Sequence, residues 1–153
     1  SKLKVKITKW NIIMKSDSNI KRVLIDDGLT PDSLIELHDY ENVDAISLKQ
    51  LREQLGMGSW AVRIAYNKRF GGTLIQQQAG EGNRKHYHPD TDENWVILDG
   101  EWEWWIEGKG TQRVATNSIV VVPKKTWHHI KCVKSPSVRY AITQPDVLHV
   151  YED

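Results

Sequence analysis

Cysteine is nearly absent from this chain. Cys132 is the single cysteine in 153 residues, so no disulfide can form within the chain. Because disulfides persist mainly in oxidising compartments, their absence favours a reducing one, and we expect a cytoplasmic protein. A small, half-buried structural position is favoured for Cys132 over a catalytic thiol.

Long apolar stretches and an excess of one charge are missing as well. Apolar runs such as 119–122 are far too short to cross a bilayer. Residues 1–14 alternate lysines with apolar residues, which predicts no signal peptide. The 21 basic and 20 acidic residues leave a net charge of +1, and no basic run suggests a surface for nucleic acid. We therefore expect a soluble protein whose partners include neither a membrane nor a nucleic acid.

Phenylalanine occurs once in the chain, whereas tryptophan occurs seven times. Large indole rings fill a core efficiently, and their faces also line binding pockets. Core packing is the favoured role for these tryptophans, with stacking on a ligand as the alternative.

The N-terminal third mixes extended and helical patterns. Segments 5–13 and 22–25 are predicted to be extended. A threonine N-cap followed by proline predicts a short helix over 30–40. A Ser-x-x-Gln capping box followed by leucines at helical spacing predicts a second helix over 47–56. These elements form a predicted N-terminal extension, residues 1–58.

From Trp60 onward the polarity alternates with a period of two. The sequence predicts short strands separated by Gly, Asn and Pro turns, at 60–66, 73–78, 84–88, 93–98, 101–106, 111–115, 118–122, 127–133 and 138–142. Many short strands at close spacing are typical of a β-sandwich or a jelly-roll barrel. No repeat or linker divides the chain, so we predict one domain over 1–153 with its barrel core at 59–153.

Four side chains form a predicted metal site. His86 and His88 are two residues apart, so in a strand both point to the same face. Glu93 follows across a turn that brings the next strand back beside the first. His128, on a later strand, supplies a fourth donor. Two or three imidazoles and one carboxylate on one face suit a first-row divalent metal.

The spacing around these residues resembles the first motif of the cupin superfamily. That motif is written as Gly, five residues, His-x-His, three or four residues, Glu, six residues, Gly. The sequence fits every fixed position, with Gly80, His86, His88, Glu93 and Gly100.

The second cupin motif is matched in part. Pro123 and His128 stand at the expected spacing, whereas Asn117 and Lys125 replace glycines and Cys132 replaces an asparagine. Asn117 still tolerates the left-handed conformation that a turn glycine supplies. The metal ligand of the motif is retained.

This resemblance implies a fold and a cofactor. The expected fold is all-β, a cupin double-stranded β-helix or jelly-roll barrel, with a short mixed α/β extension at its N-terminus. The resemblance implies one divalent metal ion per chain near the barrel mouth, with Fe2+ or Mn2+ favoured and Zn2+ or Ni2+ as alternatives. Small cupins often form dimers by exchanging N-terminal strands. The resemblance therefore implies a homodimer in which residues 1–25 take part.

The other histidines are not predicted to bind the metal. His38 and His149 are expected to be structural or exposed, since a lone histidine in a strand seldom is a ligand. His129 follows His128 directly and should therefore point to the opposite face. Tyr87, between the paired histidines, should point away from the metal for the same reason.

Six residues are candidates for binding a small-molecule substrate. Trp95 shares the face of Glu93, and the polarity of the next strand places Trp102 and Trp104 inward. Two glutamines before the motif could supply hydrogen bonds to a substrate. Arg63 suits a substrate carboxylate because its planar fork binds carboxylates in a bidentate manner, with a surface position as the equal alternative. The glutamines are Gln76 and Gln78.

The fold does not name the reaction, because cupins are similar in fold and diverse in chemistry. Three imidazoles and one carboxylate leave coordination positions free on a divalent metal. We therefore predict a metal-dependent enzyme of dioxygenase type that acts on a small organic molecule. A metal-assisted lyase, decarboxylase or isomerase is one alternative. A non-catalytic protein that binds a metal or a small molecule is another.

One subgroup of cupins bears on the lyase alternative. The His-Tyr-His string resembles that of cupin lyases acting on dimethylsulfoniopropionate, which typically place a tyrosine base two residues after the glutamate. Here that position is Trp95. A lyase would need another base, for which Tyr66, Tyr140 and Glu103 are candidates, so the catalytic residues stay open.

Overall fold

The computed structural model describes residues 13–29 and 37–152. In chain order the elements are β1 (Ile13–Ser16), a 3-10 helix (Asp17–Asn19), α1 (Ile20–Asp26), α2 (Leu48–Leu55), β2 (Trp60–Tyr66), β3 (Gly71–Gln77), β4 (His86–Tyr87), β5 (Glu93–Asp99), β6 (Glu101–Ile106), β7 (Gly110–Ala115), β8 (Ile119–Val122), β9 (His128–Cys132), β10 (Ser137–Thr143) and β11 (Leu148–Tyr151). Within these ranges, neither helix has the length and apolar character needed to cross a membrane.

The strands form two antiparallel sheets. One sheet has six strands in the order β1-β11-β4-β9-β6-β7, and the other has five in the order β2-β3-β10-β5-β8. Strands that are distant in sequence lie side by side in both sheets. The two sheets face each other across one apolar core, which confirms the predicted all-β jelly-roll architecture.

Strand β6 shows how the sequence pattern builds the core. Trp102, Trp104 and Ile106 are buried, whereas the alternate residues Glu101, Glu103 and Trp105 are only partly buried. This alternation confirms the predicted inward direction of the two tryptophans. Their rings lie 6.4 Å apart and pack edge to face, an arrangement that aromatic pairs favour.

Helix α2 confirms the capping-box prediction. The Ser47 hydroxyl accepts a hydrogen bond from the Gln50 amide at 3.0 Å, and the Gln50 side chain accepts one from the Ser47 amide at 2.9 Å. Leu51 is buried and packs with Trp60 and Val62 in a second, smaller core cluster. The helix therefore packs against the outer face of the five-stranded sheet.

The predicted extended segment at 22–25 is wrong, because these residues belong to α1. The Asn19 side chain accepts a hydrogen bond from the Arg22 amide at 3.4 Å and caps the helix. Ile20, Val23 and Leu24 are its buried residues, at the i, i+3 and i+4 spacing of one helical face.

Two further N-terminal predictions lie mostly outside the described residues. Of the extended segment 5–13, only Ile13 is described, at the start of β1. Of the predicted helix 30–40, only residues 37–40 are described, and they form a turn. Strand β1 pairs with β11 of its own chain, and the exchange of residues 1–25 between two copies stays a prediction.

Helix α1 covers one end of the barrel. Ile20 and Leu24 pack in the same core cluster as Trp95 of β5 and Ala141 of β10. All four also line a cavity between the helix and the strands. The helix therefore forms the roof of the space into which the predicted metal ligands project.

Gly100, the last fixed position of the first motif, is predicted to tolerate no side chain. Its φ is +87°, and a Cβ there would lie 1.8 Å from the Ser137 hydroxyl oxygen and 2.9 Å from the Ser137 Cα. Gly108 is a matched control, because its φ of +77° is similar and a Cβ would meet nothing within 4 Å. We expect Gly108→Ala to lower the free energy of unfolding by about 1 kcal/mol, and Gly100→Ala to lower it by at least about 2 kcal/mol more.

Urea denaturation of both variants measures this difference. Equal losses of stability would show that backbone conformation alone explains the glycine at position 100.

Candidate metal centre

Three strands bring the predicted ligands together. His86 lies on β4 and pairs with His128, the first residue of β9. Glu93 is the first residue of β5, in the opposite sheet. The turn after His88 is fixed by the Lys125 amide, which donates to the His88 carbonyl at 2.7 Å. The convergence thus comes from strand ends that meet at one side of the barrel.

The donor atoms lie close enough to share one ion. A Glu93 carboxylate oxygen lies 3.3 Å from Nε2 of His88, and the other lies 3.4 Å from Nε2 of His128. The ligand atoms of these three residues are all within 4.8 Å of one another. The ring of His86 is centred 4.3 Å from the ring of His128. All four side chains are buried.

Each predicted histidine ligand is oriented by a backbone carbonyl. The distance from Nδ1 to that carbonyl oxygen is 2.7 Å for His86, 2.9 Å for His88 and 3.0 Å for His128. A carbonyl only accepts hydrogen bonds, so Nδ1 carries a hydrogen, and in the neutral ring Nε2 then carries the lone pair. Metal-binding histidines typically show this pattern, in which one nitrogen binds the ion and the other donates to a carbonyl or carboxylate.

Two of these Nε2 atoms have no hydrogen-bond partner among the described residues. They belong to His88 and His128, and both atoms are buried. Leaving a buried polar atom unsatisfied costs about 1–3 kcal/mol. A divalent cation beside Glu93 would satisfy both atoms, so the donor set fits the metal that the sequence predicts.

Trp95 holds the Glu93 carboxylate in place. Its indole N–H donates to Oε1 of Glu93 at 2.6 Å, and both residues are buried. The two side chains share one face of β5, since they are two residues apart. The carboxylate therefore has one fixed orientation toward the histidines.

The electrostatics of the site favour an ionised Glu93 carboxylate and a neutral His86 ring, whereas the charge of Glu93 outweighs burial at His88 and raises its pKa. Burial alone would raise the pKa of Glu93, but His88 and His128 outweigh it and hold the pKa well below its usual range. Burial, together with the neighbouring His128, lowers the pKa of His86 well below its ordinary value. Metal binding requires a charged carboxylate and unprotonated rings.

His149 is a member of the cluster that the sequence analysis did not predict. It is buried, and its ring is centred 4.9 Å from that of His86 and 4.5 Å from that of His88. A ring nitrogen of each of the three lies within 4.8 Å of the others. Burial lowers the pKa of His149 to about 3, so the ring is neutral at physiological pH. His149 is therefore buried and not exposed, and its position beside His86 and His88 makes it a further candidate ligand.

No motif pointed to His149, although one pattern could have. His149 is two residues before Tyr151, which pairs with His86, so strand parity puts His149 and Tyr151 on the same face of β11. The expectations for the other histidines agree with the structure. His38 is exposed and contacts Glu41 at 2.7 Å, and His129 is exposed on the outer face.

A cavity of about 50 Å3 adjoins the donors. His86, Glu93 and His149 contribute to one wall, and α1 forms the roof. By the volume that one water needs, this space holds about three to five waters. The other polar groups at the cavity are Asp17, Asp27, Arg63, Tyr66, Thr73, Asn83, Arg139 and Thr143.

Two of the six predicted substrate-binding residues line this cavity, namely Trp95 and Arg63. The Arg63 guanidinium is already engaged, since Nη2 donates to the Asp17 carbonyl at 2.9 Å and Nη1 lies 3.7 Å from Glu41. It also stacks on the ring of Tyr66 at 4.2 Å. Arg63 therefore already has a carbonyl, a carboxylate and an aromatic ring as partners within the chain.

The other four residues lie away from the cavity. The Gln76 amide donates to the Gly58 carbonyl at 2.6 Å, and Gln78 donates to the Met57 carbonyl at 3.0 Å, both on the α2 side of the sheet. The prediction took the wrong face of β3, because Thr73 and Ile75 line the cavity and a shift of one residue reverses the face. The remaining two, Trp102 and Trp104, fill the core.

Sequence and structure comparisons agree with this architecture. Residues 73–143 match the family model of the cupin domain. A search of the curated proteins found no sequence that matches the chain.

Solved structures of similar fold are identical to this chain at 12–21% of positions, a level that shows the fold alone. KdgF from Halomonas sp. superposes with a TM-score of 0.54 and 19% identity, over 57% of this chain and 79% of that one. A Klebsiella pneumoniae protein described as having a double-stranded β-helix domain superposes with a TM-score of 0.60 and 12% identity, over 73% of this chain and 100% of that one. The DMSP lyase DddQ from Ruegeria pomeroyi superposes with a TM-score of 0.50 and 21% identity, over 58% of this chain and 48% of that one.

The fold and the site thus define a double-stranded β-helix whose buried His and Glu side chains can hold a metal ion. The family match identifies residues 73–143 as a cupin domain, and the structural neighbours share its fold.

The role of Trp95 gives a testable prediction. Trp95→Phe removes the hydrogen bond to Glu93 and keeps an aromatic ring, so we expect metal affinity to fall by about 10–100-fold. Trp60→Phe is the matched control, because it removes a comparable buried hydrogen bond, to the Gly56 carbonyl at 3.0 Å, in the other core cluster. Competition with a chelator of known affinity measures both variants. Equal metal affinities in the two variants would exclude the orienting role of Trp95.

Proposed function

We propose that this cupin is a metal-dependent enzyme that acts on a small organic molecule, with chemistry of dioxygenase type. The observation that carries the proposal is a set of three buried histidines, each of which donates a hydrogen bond from Nδ1–H to a backbone carbonyl. Those hydrogen bonds leave the Nε2 atoms free for an ion. His86, His88, Glu93 and His128 would hold it.

The bound ion would supply chemistry that no side chain offers. Fe2+ would provide the electrons and open positions that dioxygen chemistry needs, whereas Mn2+, Zn2+ or Ni2+ would act as a Lewis acid. The protein would supply orientation and exclusion of water. Trp95 fixes the carboxylate, while α1 and the barrel wall enclose the adjoining cavity.

The small cavity limits the substrate. A volume of about 50 Å3 accommodates a molecule of only a few non-hydrogen atoms beside the donors. Polar groups on its wall supply specificity, as is typical of small-molecule sites.

A metal-assisted lyase, decarboxylase or isomerase is the second candidate, and His149 is the observation that favours it. His149 lines the cavity beside His86, where an imidazole can exchange a proton with a substrate, but burial lowers its pKa to about 3 and makes it a weak base at neutral pH. The bases considered from the sequence are less well placed. Tyr66 lines the cavity, but its hydrogen bond to Asp146 raises its pKa. Tyr140 packs with the second core cluster, and Glu103 pairs with Arg113 on the outer face.

Metal content is the first test. We expect protein purified without added metal to contain close to one divalent ion per chain, measured by elemental analysis. His86→Ala and His128→Ala should each lose most of it, because each removes a donor from a site of few ligands. His38→Ala should retain it, since His38 is exposed and contacts Glu41. Unchanged metal content in His86→Ala would contradict the proposed site.

Oxygen uptake separates the reaction classes. Metal-loaded protein is incubated with a panel of small organic acids, while dissolved oxygen and substrate are followed together. Oxygen consumption matched to substrate loss is the result that the proposal expects. Substrate loss without oxygen uptake would favour the lyase or isomerase. Metal binding without turnover of any compound in the panel would favour a binding protein.

A further inference from the structure

One arginine in the barrel interior is buried and has no ion-pair partner in the described part of the chain. Arg139 lies on β10, where it pairs with Ile75 of β3 and Ile97 of β5, both buried. Only 1% of its surface is exposed, and it lines the cavity beside Glu93. Its guanidinium therefore faces the same space as the predicted metal ligands.

Most donors of this guanidinium have no partner within residues 13–29 and 37–152. A guanidinium carries five N–H donors. Nη2 donates to the Gln77 side chain at 2.9 Å, whereas the buried Nε has no partner among the described residues. Over the same residues, no carboxylate forms an ion pair with Arg139. A buried charge in this condition is costly unless something completes its hydrogen bonding.

Arg52 shows what a satisfied arginine is like in the same fold. It also donates to a glutamine, from Nε to Gln76 at 2.8 Å. In addition its Nη2 donates to the Asp99 carboxylate at 2.8 Å. Arg139 has the glutamine and lacks the carboxylate.

Two tryptophan rings hold the guanidinium in place. Its central carbon lies 4.7 Å from the centre of the Trp95 ring and 5.1 Å from that of Trp102. Such cation–π contacts stabilise the charge without using its N–H donors. Trp95 also donates to Glu93, so one side chain contacts both the cation and the predicted metal site.

The charges around Arg139 leave room for an anion. Burial lowers its pKa, to about 10, so the group stays positive at neutral pH. Asp27 and Glu93 raise the pKa of Arg139 by long-range electrostatic attraction, without an ion pair. Burial raises the pKa of Asp27 itself to about 7. Glu93 is directed to the histidines. Neither carboxylate neutralises Arg139 by direct contact.

We propose that Arg139 binds the carboxylate of the substrate, which makes the substrate a small carboxylic acid. This inference rests on the proposed function, because it names what occupies the cavity beside the metal ligands. The planar fork of arginine suits a carboxylate in two-point contact. With a cavity of about 50 Å3, the acid has roughly three to six non-hydrogen atoms. This assigns to Arg139 the role that the sequence suggested for Arg63.

The test compares acetate with acetamide, which has nearly the same shape and no charge. NMR titrations of the indole N–H resonances give dissociation constants for metal-loaded and metal-free protein. We expect wild type to bind acetate at least tenfold more tightly than acetamide in both forms. Arg139→Gln should lose at least tenfold in acetate affinity and leave acetamide affinity unchanged. Arg52→Gln, the matched control, should bind acetate as wild type does.

Several outcomes would overturn the proposal. The first is that wild type binds acetate and acetamide with equal affinity. The second is that wild type prefers acetate only when metal is bound. The third is that the Arg139→Gln variant keeps the acetate affinity of wild type. If Arg139→Gln does not fold, the wild-type comparison in the metal-free form decides. Metal content is measured on the same samples. A protein that prefers acetate and binds no metal would contradict the proposed function and would still support the anion site at Arg139.

Discussion

The hydrogen bonds from histidine Nδ1 to backbone carbonyls are the constraint on which the centre depends. They fix the tautomer and the plane of each ring, so the Nε2 atoms of His86, His88 and His128 point inward. The acceptors are carbonyls at or beside strand ends, and their positions follow from the sheet pairing. A fold that moved β4 relative to β9 or β11 would lose these orientations even with every ligand residue present.

Tryptophan connects this centre with the rest of the barrel. The Trp95 N–H donates to Glu93, and the face of the Trp95 ring contacts the Arg139 guanidinium. Trp104 packs against Trp95, and Trp102 packs against Trp104. An aliphatic core would fill the same volume without an N–H donor or a face that attracts a cation. The abundance of tryptophan therefore serves both the packing and the polar groups inside the barrel.

The sequence predicted what motif spacing and strand parity determine. The spacing of His86, His88 and Glu93 was sufficient to place three donors on one side of the barrel. Gln76 and Gln78 were placed on the wrong face, because the alternation Leu-Ile-Gln-Gln-Gln does not distinguish the two phases of β3. His149 and Arg139 stand outside the motif match. Their place in the site comes from pairing between strands distant in sequence, which local patterns do not reveal.

Under the proposed function, substrate specificity would be set by elements outside the metal motif. The motif supplies the donors that many cupins share, whereas α1, β10 and β11 supply the roof, Arg139 and His149. A buried cation and a neutral imidazole at the wall of a cavity of about 50 Å3 would select a substrate by charge and by size together. A larger substrate would have to displace Ile20 and Leu24, which also pack in the main core. Enlarging the cavity would thus cost stability, so size selection and the integrity of the barrel are coupled.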